Sequence, residues 1–138
     1  MIEINENGEY QAPVKVLEKD YHLSYPFVFE KDGVYYMIPE SKENKTIDLY
    51  ISTNFPYEWE FRKTLIDNIS AVDATVLFYE DKFWLFANVI RNEGASSLDE
   101  LFLYSSKTLI SDDWTSHPCN PIVSDVRKSR PAGNFFSY

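Results

Sequence analysis

With one cysteine, Cys119, the 138-residue chain cannot make an internal disulfide, so it is not a stapled secreted scaffold. Two histidines and that lone cysteine form no set of recognised metal-ligand spacing, and no metal is expected. The four glycines, Gly8, Gly33, Gly94 and Gly133, stand apart from one another, so there is no phosphate-cradling loop and no cofactor is expected. No apolar run approaches the ~18 residues of a membrane span. The start, Met1 to Glu6, is acidic and carries no apolar signal core, which gives the expectation of a soluble, cytoplasmic protein. On that expectation the sequons Asn44-Lys45-Thr46 and Asn68-Ile69-Ser70 read as chance matches. Basic residues are scarce too: 13 Lys and Arg face 22 Asp and Glu, for a net charge of −9. That balance excludes a phosphate-coating nucleic-acid binder and argues against docking on anionic lipid.

What the chain has in excess is aromatic residues, at 17%, with ten Tyr, ten Phe and three Trp. Flat rings pack well on pleated surfaces, so the bias favours strands. A repeat is visible. Phe27-Val28-Phe29-Glu30-Lys31-Asp32-Gly33-Val34-Tyr35-Tyr36-Met37-Ile38 reads as strand, tight turn, strand. Thr75-Val76-Leu77-Phe78-Tyr79-Glu80-Asp81-Lys82-Phe83-Trp84-Leu85-Phe86 reads the same way, with weaker turn chemistry at Glu80-Asp81 than at Asp32-Gly33. Ile47 to Ser52 alternates as a third strand and is matched by Glu100 to Ser106, with Leu49-Tyr50 opposite Leu103-Tyr104. Trp59 and Trp114 each open a fourth strand, running to Ile66 in one copy and Val123 in the other. A third copy begins at Arg130-Pro131-Ala132-Gly133-Asn134-Phe135-Phe136. Gln11 to Leu17 would be an outer strand of a preceding unit.

Four strands in each unit of roughly 50 residues is the arithmetic of β-propeller blades. The expected fold is therefore all-β, with antiparallel four-stranded blades, about two and a half of them. Residues 1–21 would end a preceding blade, 22–69 and 70–128 would be blades, and 129–138 would open a further one. A sandwich of short strands is the alternative, although it would not repeat Tyr-Tyr, Leu-Tyr and Trp in one order. A blade cannot bury both faces alone. The chain is therefore part of a larger ring, or a homodimer completes the propeller across an open edge.

Five motifs stand in order: His22 to Phe29, Asp32 to Ser41, Ser70 to Thr75, His117 to Ile122, and Ser129 to Gly133. Together they resemble the propeller domain at the N-terminus of glucosamine inositolphosphorylceramide transferases and, more distantly, the five-bladed propellers of family 43 and 32 glycoside hydrolases. The resemblance covers residues 22–136 and implies a carbohydrate-active, five-bladed fold. It also implies acids lining a central channel, with Asp73 in a comparable place.

Tyr25, Asp73 and Arg130 are equivalent in the repeat, each just before the first strand of its unit. In a propeller that strand is innermost, so the three would converge on one end of the channel. Asp73 and Glu40 are the candidate catalytic acids, as a general acid and base for glycoside cleavage. The plainer alternative is that Asp73 caps a turn or pairs with Arg130 to hold two blades together, and that Glu40 is a solvated loop acid. Glu40 and Asn88 are equivalent, both read as lying just beyond a second strand. His22, Tyr25, Asn88 and Arg130 are the candidate substrate-binding residues, Arg130 through its fork of donors. His117 reads as a strand-edge residue, and Cys119 has no adjacent base to activate it. Gly133 reads as permitting close backbone approach. Trp59, Trp114, Tyr35, Tyr36, Phe83 and Trp84 read as core between blades. The expected function is binding or processing of a glycan, sugar nucleotide or glycolipid headgroup. A non-catalytic binding or docking module beside a transferase, or a truncated product without its own activity, are the rivals.

Overall fold

The computed structural model describes residues 1–92, 94, 96, 99–131 and 133–135. Two antiparallel sheets follow one another along the chain. The first is β1 (Ser24–Lys31), β2 (Val34–Ser41), β3 (Thr46–Asn54) and β4 (Glu58–Asp67), paired in chain order. The second is β5 (Ala71–Tyr79), β6 (Lys82–Val89) and β7 (Glu100–Ser106), with the fourth place shared by β8 (Thr115–Ser116) and β9 (Val123–Ser124). Each sheet is a blade. Among the described residues, no helix is long and apolar enough to cross a membrane.

The two β hairpins turn alike despite different sequences. Asp32 and Gly33 have φ of 54° and 79°, and Glu80 and Asp81 have φ of 50° and 57°. Both central residues of each turn thus occupy the left-handed region that a two-residue hairpin matching strand twist requires. The first copy meets this with glycine; the second holds two acidic residues there.

The fourth strand of the second blade is broken where continuity was expected. Pro118 and Pro121 have no N–H to give to a ladder. The Asn120 side chain replaces a rung: its Oδ1 accepts from Leu103 N at 2.8 Å and its Nδ2 donates to Leu103 O at 2.8 Å. The chain then resumes pairing with β7 at Val123.

One core joins the blades. Phe27, Ile38, Ile47, Leu49 and Leu65 of the first sheet cluster with Ala71, Ala74, Val76, Phe83, Leu85 and Ala87 of the second. The three alanines let the sheets approach while larger neighbours fill the gaps. Tyr36, Trp114 and Tyr104 pack partly buried against this cluster. Tyr35, read as core, is instead exposed and stacks on Phe55 with centroids 3.8 Å apart. Alternation along β2 turns it away from Tyr36 and from the interblade core.

The other face of the first blade is buried as well. Met37, Thr46, Asp48 and Tyr50 lie there at 9% exposure or less. Asp48 has no cationic partner among the described residues and is held by the Thr46 hydroxyl at 3.0 Å and the Thr64 hydroxyl at 2.7 Å. The segment before β1 contributes to this cover: Val16, Leu17 and Leu23 stand around Met37 and Pro39, and the Lys19 ammonium lies 5.7 Å from the Tyr50 ring centre. Burial, then the nearby Tyr21 and Asp48, pushes the Tyr50 hydroxyl well above the ordinary phenol range. Gln11 to Leu17 joins no ladder, so the outer strand expected there is an irregular strap.

Candidate functional site

The repeat positions Tyr25 and Asp73 share one backbone device. The β1–β2 register slips between Ser24 and Phe27, and the β5–β6 register slips between Val72 and Thr75. Within these bulges Tyr25 has φ 39° and Asp73 has φ 56°. A bulge re-aims the side chain it carries. Aspartate tolerates the left-handed region, whereas a bulky aromatic there is strained. Two such residues at equivalent places make this end of β1 and β5 the candidate site.

Asp73 is 2% exposed, and both Nε and Nη2 of Arg130 reach its Oδ2, at 2.8 and 2.6 Å. The Arg130 side chain is 53% exposed, so the pair joins a buried acid to a base that opens on solvent. Tyr25 completes the cluster. Its hydroxyl accepts from Gly133 N at 3.2 Å and lies 3.4 Å from Thr75 Oγ1. Thr75 gives its proton to the Asp73 carbonyl at 3.2 Å, so Tyr25 is the donor of the Tyr25–Thr75 pair. A directional chain of hydrogen bonds thus runs from Gly133 through Tyr25 and Thr75 to Asp73. Tyr25 and Asp73 lie inside β1 and β5 rather than before them; Asp73 pairs with Arg130, and Tyr25 reaches Gly133 of the same segment.

The other sequence candidates fall around this cluster. Glu40 and Asn88 occupy equivalent rungs, opposite Ser24 and Val72, inside their strands rather than beyond them. Glu40 is half-buried beside Ile47, and no hydrogen bond or ion pair joins it to the cluster among the described residues. Asn88 is fully buried, and its Nδ2 donates to Glu100 O and Ser129 O, each at 3.1 Å. His22 is exposed, with its backbone N–H on the Glu43 carboxylate at 3.0 Å. Gly133 has φ 98°, and a Cβ added there would meet nothing within 4 Å; its need is for backbone freedom, not for close approach. Ala132 and Phe136 of the third copy lie outside the described residues. Sequence reasoning missed Thr75 and Ser129. Thr75 stands two residues after Asp73, and the bulge that brings its hydroxyl between Tyr25 and the Asp73 carbonyl leaves no trace in the residue pattern.

At the opposite end of the inner strands lies a cavity of about 440 Å³ whose lining includes Phe29, Lys31, Phe78 and Phe135. Its lining is mostly apolar, with Glu30, Lys31, Tyr35 and Asn134 as its polar groups.

Comparison with known proteins gives the family and the fold. Residues 4–138 match the family described as glucosamine inositolphosphorylceramide transferase 1, N-terminal. The chain is 35% identical over 124 residues to glucosamine inositolphosphorylceramide transferase 1 of Oryza sativa subsp. japonica, and 34% identical over 124 residues to that of Arabidopsis thaliana. Each match takes in 88% of this chain but 16% of the relative, so the chain spans about a sixth of their length. Among solved structures it is similar to the GH43_1 enzyme of Xanthomonas citri complexed with xylotriose, with a TM-score of 0.59 and 10% identity over 75% of this chain and 34% of that one. The native Bacillus subtilis arabinanase gives a TM-score of 0.54 and 17% identity over 69% of this chain and 37% of that one. These likenesses carry the fold, that of β-propeller blades. The chain belongs to the family of the N-terminal domain of glucosamine inositolphosphorylceramide transferase 1.

Proposed function

We propose that the chain is a carbohydrate-binding part of a propeller, and that Arg130, held in place by Asp73 and Tyr25, forms its ligand seat. The observation that carries this reading is the tie between a buried acid and a half-exposed arginine where three repeat units converge. The Nε–H donates to Asp73 and Nη2 is ion-paired with it; among the described residues no other partner takes the guanidinium's remaining donors, which face ligand oxygens in a fixed orientation. Asp73 serves here as the anchor that orients Arg130, because its buried carboxylate is ion-paired to the guanidinium. Glu40 and His22, at the rim, would add contacts to sugar hydroxyls.

Charge selects among sugars. The Asp73–Arg130 pair is locally neutral, and the chain carries −9 overall. That field disfavours phosphate-bearing ligands and favours a neutral sugar, or an amino sugar whose ammonium faces away from Arg130. The relatives' name contains glucosamine, and the Xanthomonas citri structure holds xylotriose, so both sugars are suitable probes. The test is a calorimetric titration of the chain with glucosamine, xylotriose and inositol 1-phosphate. Glucosamine should bind in the millimolar range typical of one small sugar, about −4 kcal/mol, and should weaken with salt. Arg130→Gln should abolish that binding while leaving the fold intact. Unchanged affinity in a folded Arg130→Gln variant would refute the seat.

A further inference from the structure

Arg130 stands on chain that pairs with no strand among the described residues, yet its guanidinium is placed on one oxygen of Asp73. We infer that Asn88 and Tyr25 are positioning residues that clamp the two sides of Arg130. Asn88 holds Ser129, immediately before it, by the backbone carbonyl. Tyr25 holds Gly133, a few residues after it, by the backbone N–H. The arginine thus projects from a segment pinned from two different blades, one pin on β6 and the other on β1.

The chemistry of Asn88 fits a clamp better than a ligand contact. Its two hydrogen-bond partners among the described residues are both carbonyl oxygens, so only the NH2 group can face them, which fixes the orientation of the amide. Among the described residues its Oδ1 is buried without a hydrogen-bond partner. A buried unpaired acceptor is unfavourable, so a polar residue at this fully enclosed position reflects what its NH2 does. One hydrogen reaches β7 through Glu100, and the other reaches the third unit through Ser129. Tyr25 acts similarly from the first blade, and its strained φ directs the hydroxyl across the blade boundary. Both residues therefore act on a ligand through Arg130.

This inference deepens the proposed seat and rests on it, so the test reads Arg130 without any ligand. In the ¹⁵N-labelled chain, hydrogen exchange of the Arg130 Nε–H is compared with that of the Leu85 and Ala87 amides, which report the fold. The wild-type Nε–H should exchange slowly because it donates to Asp73. Asn88→Ala should speed it about tenfold, the loss of one pinning hydrogen bond, relative to those amides. Tyr25→Phe removes only the hydroxyl and should speed it as well, and it decides the matter if Asn88→Ala does not fold. Wild-type protection of Arg130 in a folded variant of either residue would overturn the clamp. An unprotected Arg130 Nε–H in the wild type would instead overturn the seat. Failure of glucosamine to bind, with protection behaving as described, would sink the function and leave the clamp standing.

Discussion

Breaking the Asp73–Arg130 pair from each side gives a number that the geometry constrains. The acid is buried and the base half-exposed, at 3% and 53% side-chain exposure. Fully exposed pairs contribute about 0.2–1 kcal/mol. Removing one partner of a fully buried pair costs about 3–5 kcal/mol. This pair lies between, with one charge-assisted hydrogen bond and a second ion-pair contact to the same oxygen, so Arg130→Gln should destabilise by about 2 kcal/mol. Asp73→Asn keeps the shape and tolerates the φ of 56°, so it removes the charge without adding backbone strain. Once Asp73 is neutral, the further loss from Arg130→Gln should fall below about 1 kcal/mol, giving a coupling of about 1–1.5 kcal/mol. Urea unfolding followed by tryptophan fluorescence measures all four corners of the cycle, provided the m-value is unchanged. A coupling within about 0.3 kcal/mol of zero would refute the pair as a working contact.

Other consequences follow from particular residues. Asp81 holds φ 57° where the first hairpin has Gly33, so Asp81→Gly should stabilise by about 0.5–1 kcal/mol, read as a raised urea midpoint. Asn120→Ala removes both bonds to Leu103 and should cost about 1–2 kcal/mol, with faster amide exchange confined to β7 and the segment after β8. Leu85 is fully buried in the shared core, so Leu85→Ala should cost about 2–5 kcal/mol and lower the stability of both blades in one transition. Hydrogen bonds from Arg91 hold the Glu100 carboxyl below its usual range against a smaller opposing effect of burial. A depressed folded-state value contributes stability above the unfolded value, near 4.5, that is lost as pH falls through the folded one. Glu100→Gln should therefore flatten the acid side of the stability profile below that pH and leave its neutral side little changed in slope.

Much of the fold was legible because blade units repeat their burial pattern. Leu49 and Leu103 sit in third strands, and Tyr25 and Asp73 sit in equivalent bulges, as the aligned copies require. What was not legible depends on substitutions of one chemical group for another. A side-chain amide standing in for a backbone rung, as Asn120 does, breaks a strand that residue composition reads as continuous. The strap at residues 11–17 alternates enough to suggest a strand, but pairing needs a neighbouring edge, which a local pattern does not reveal. Asn88 was found through its equivalence to Glu40, yet its enclosure depends on Glu100 and Ser129, which are distant in sequence. The convergence of Tyr25, Asp73 and Arg130 was readable because repeat position fixes place in a blade. Which of them binds and which of them holds is a matter of burial, and burial emerges only from packing.

The central claim is that a sugar sits at the Arg130 end of the inner strands. Chemical-shift mapping of the ¹⁵N-labelled chain with glucosamine tests it most directly. The account predicts saturable shifts at the Asp73, Thr75, Arg130 and Gly133 amides and at the Arg130 Nε–H, with β3 and β4 unmoved. Shifts confined to Val28–Lys31 and Leu77–Phe78, around the apolar cavity, or no saturable shifts at all, would contradict it.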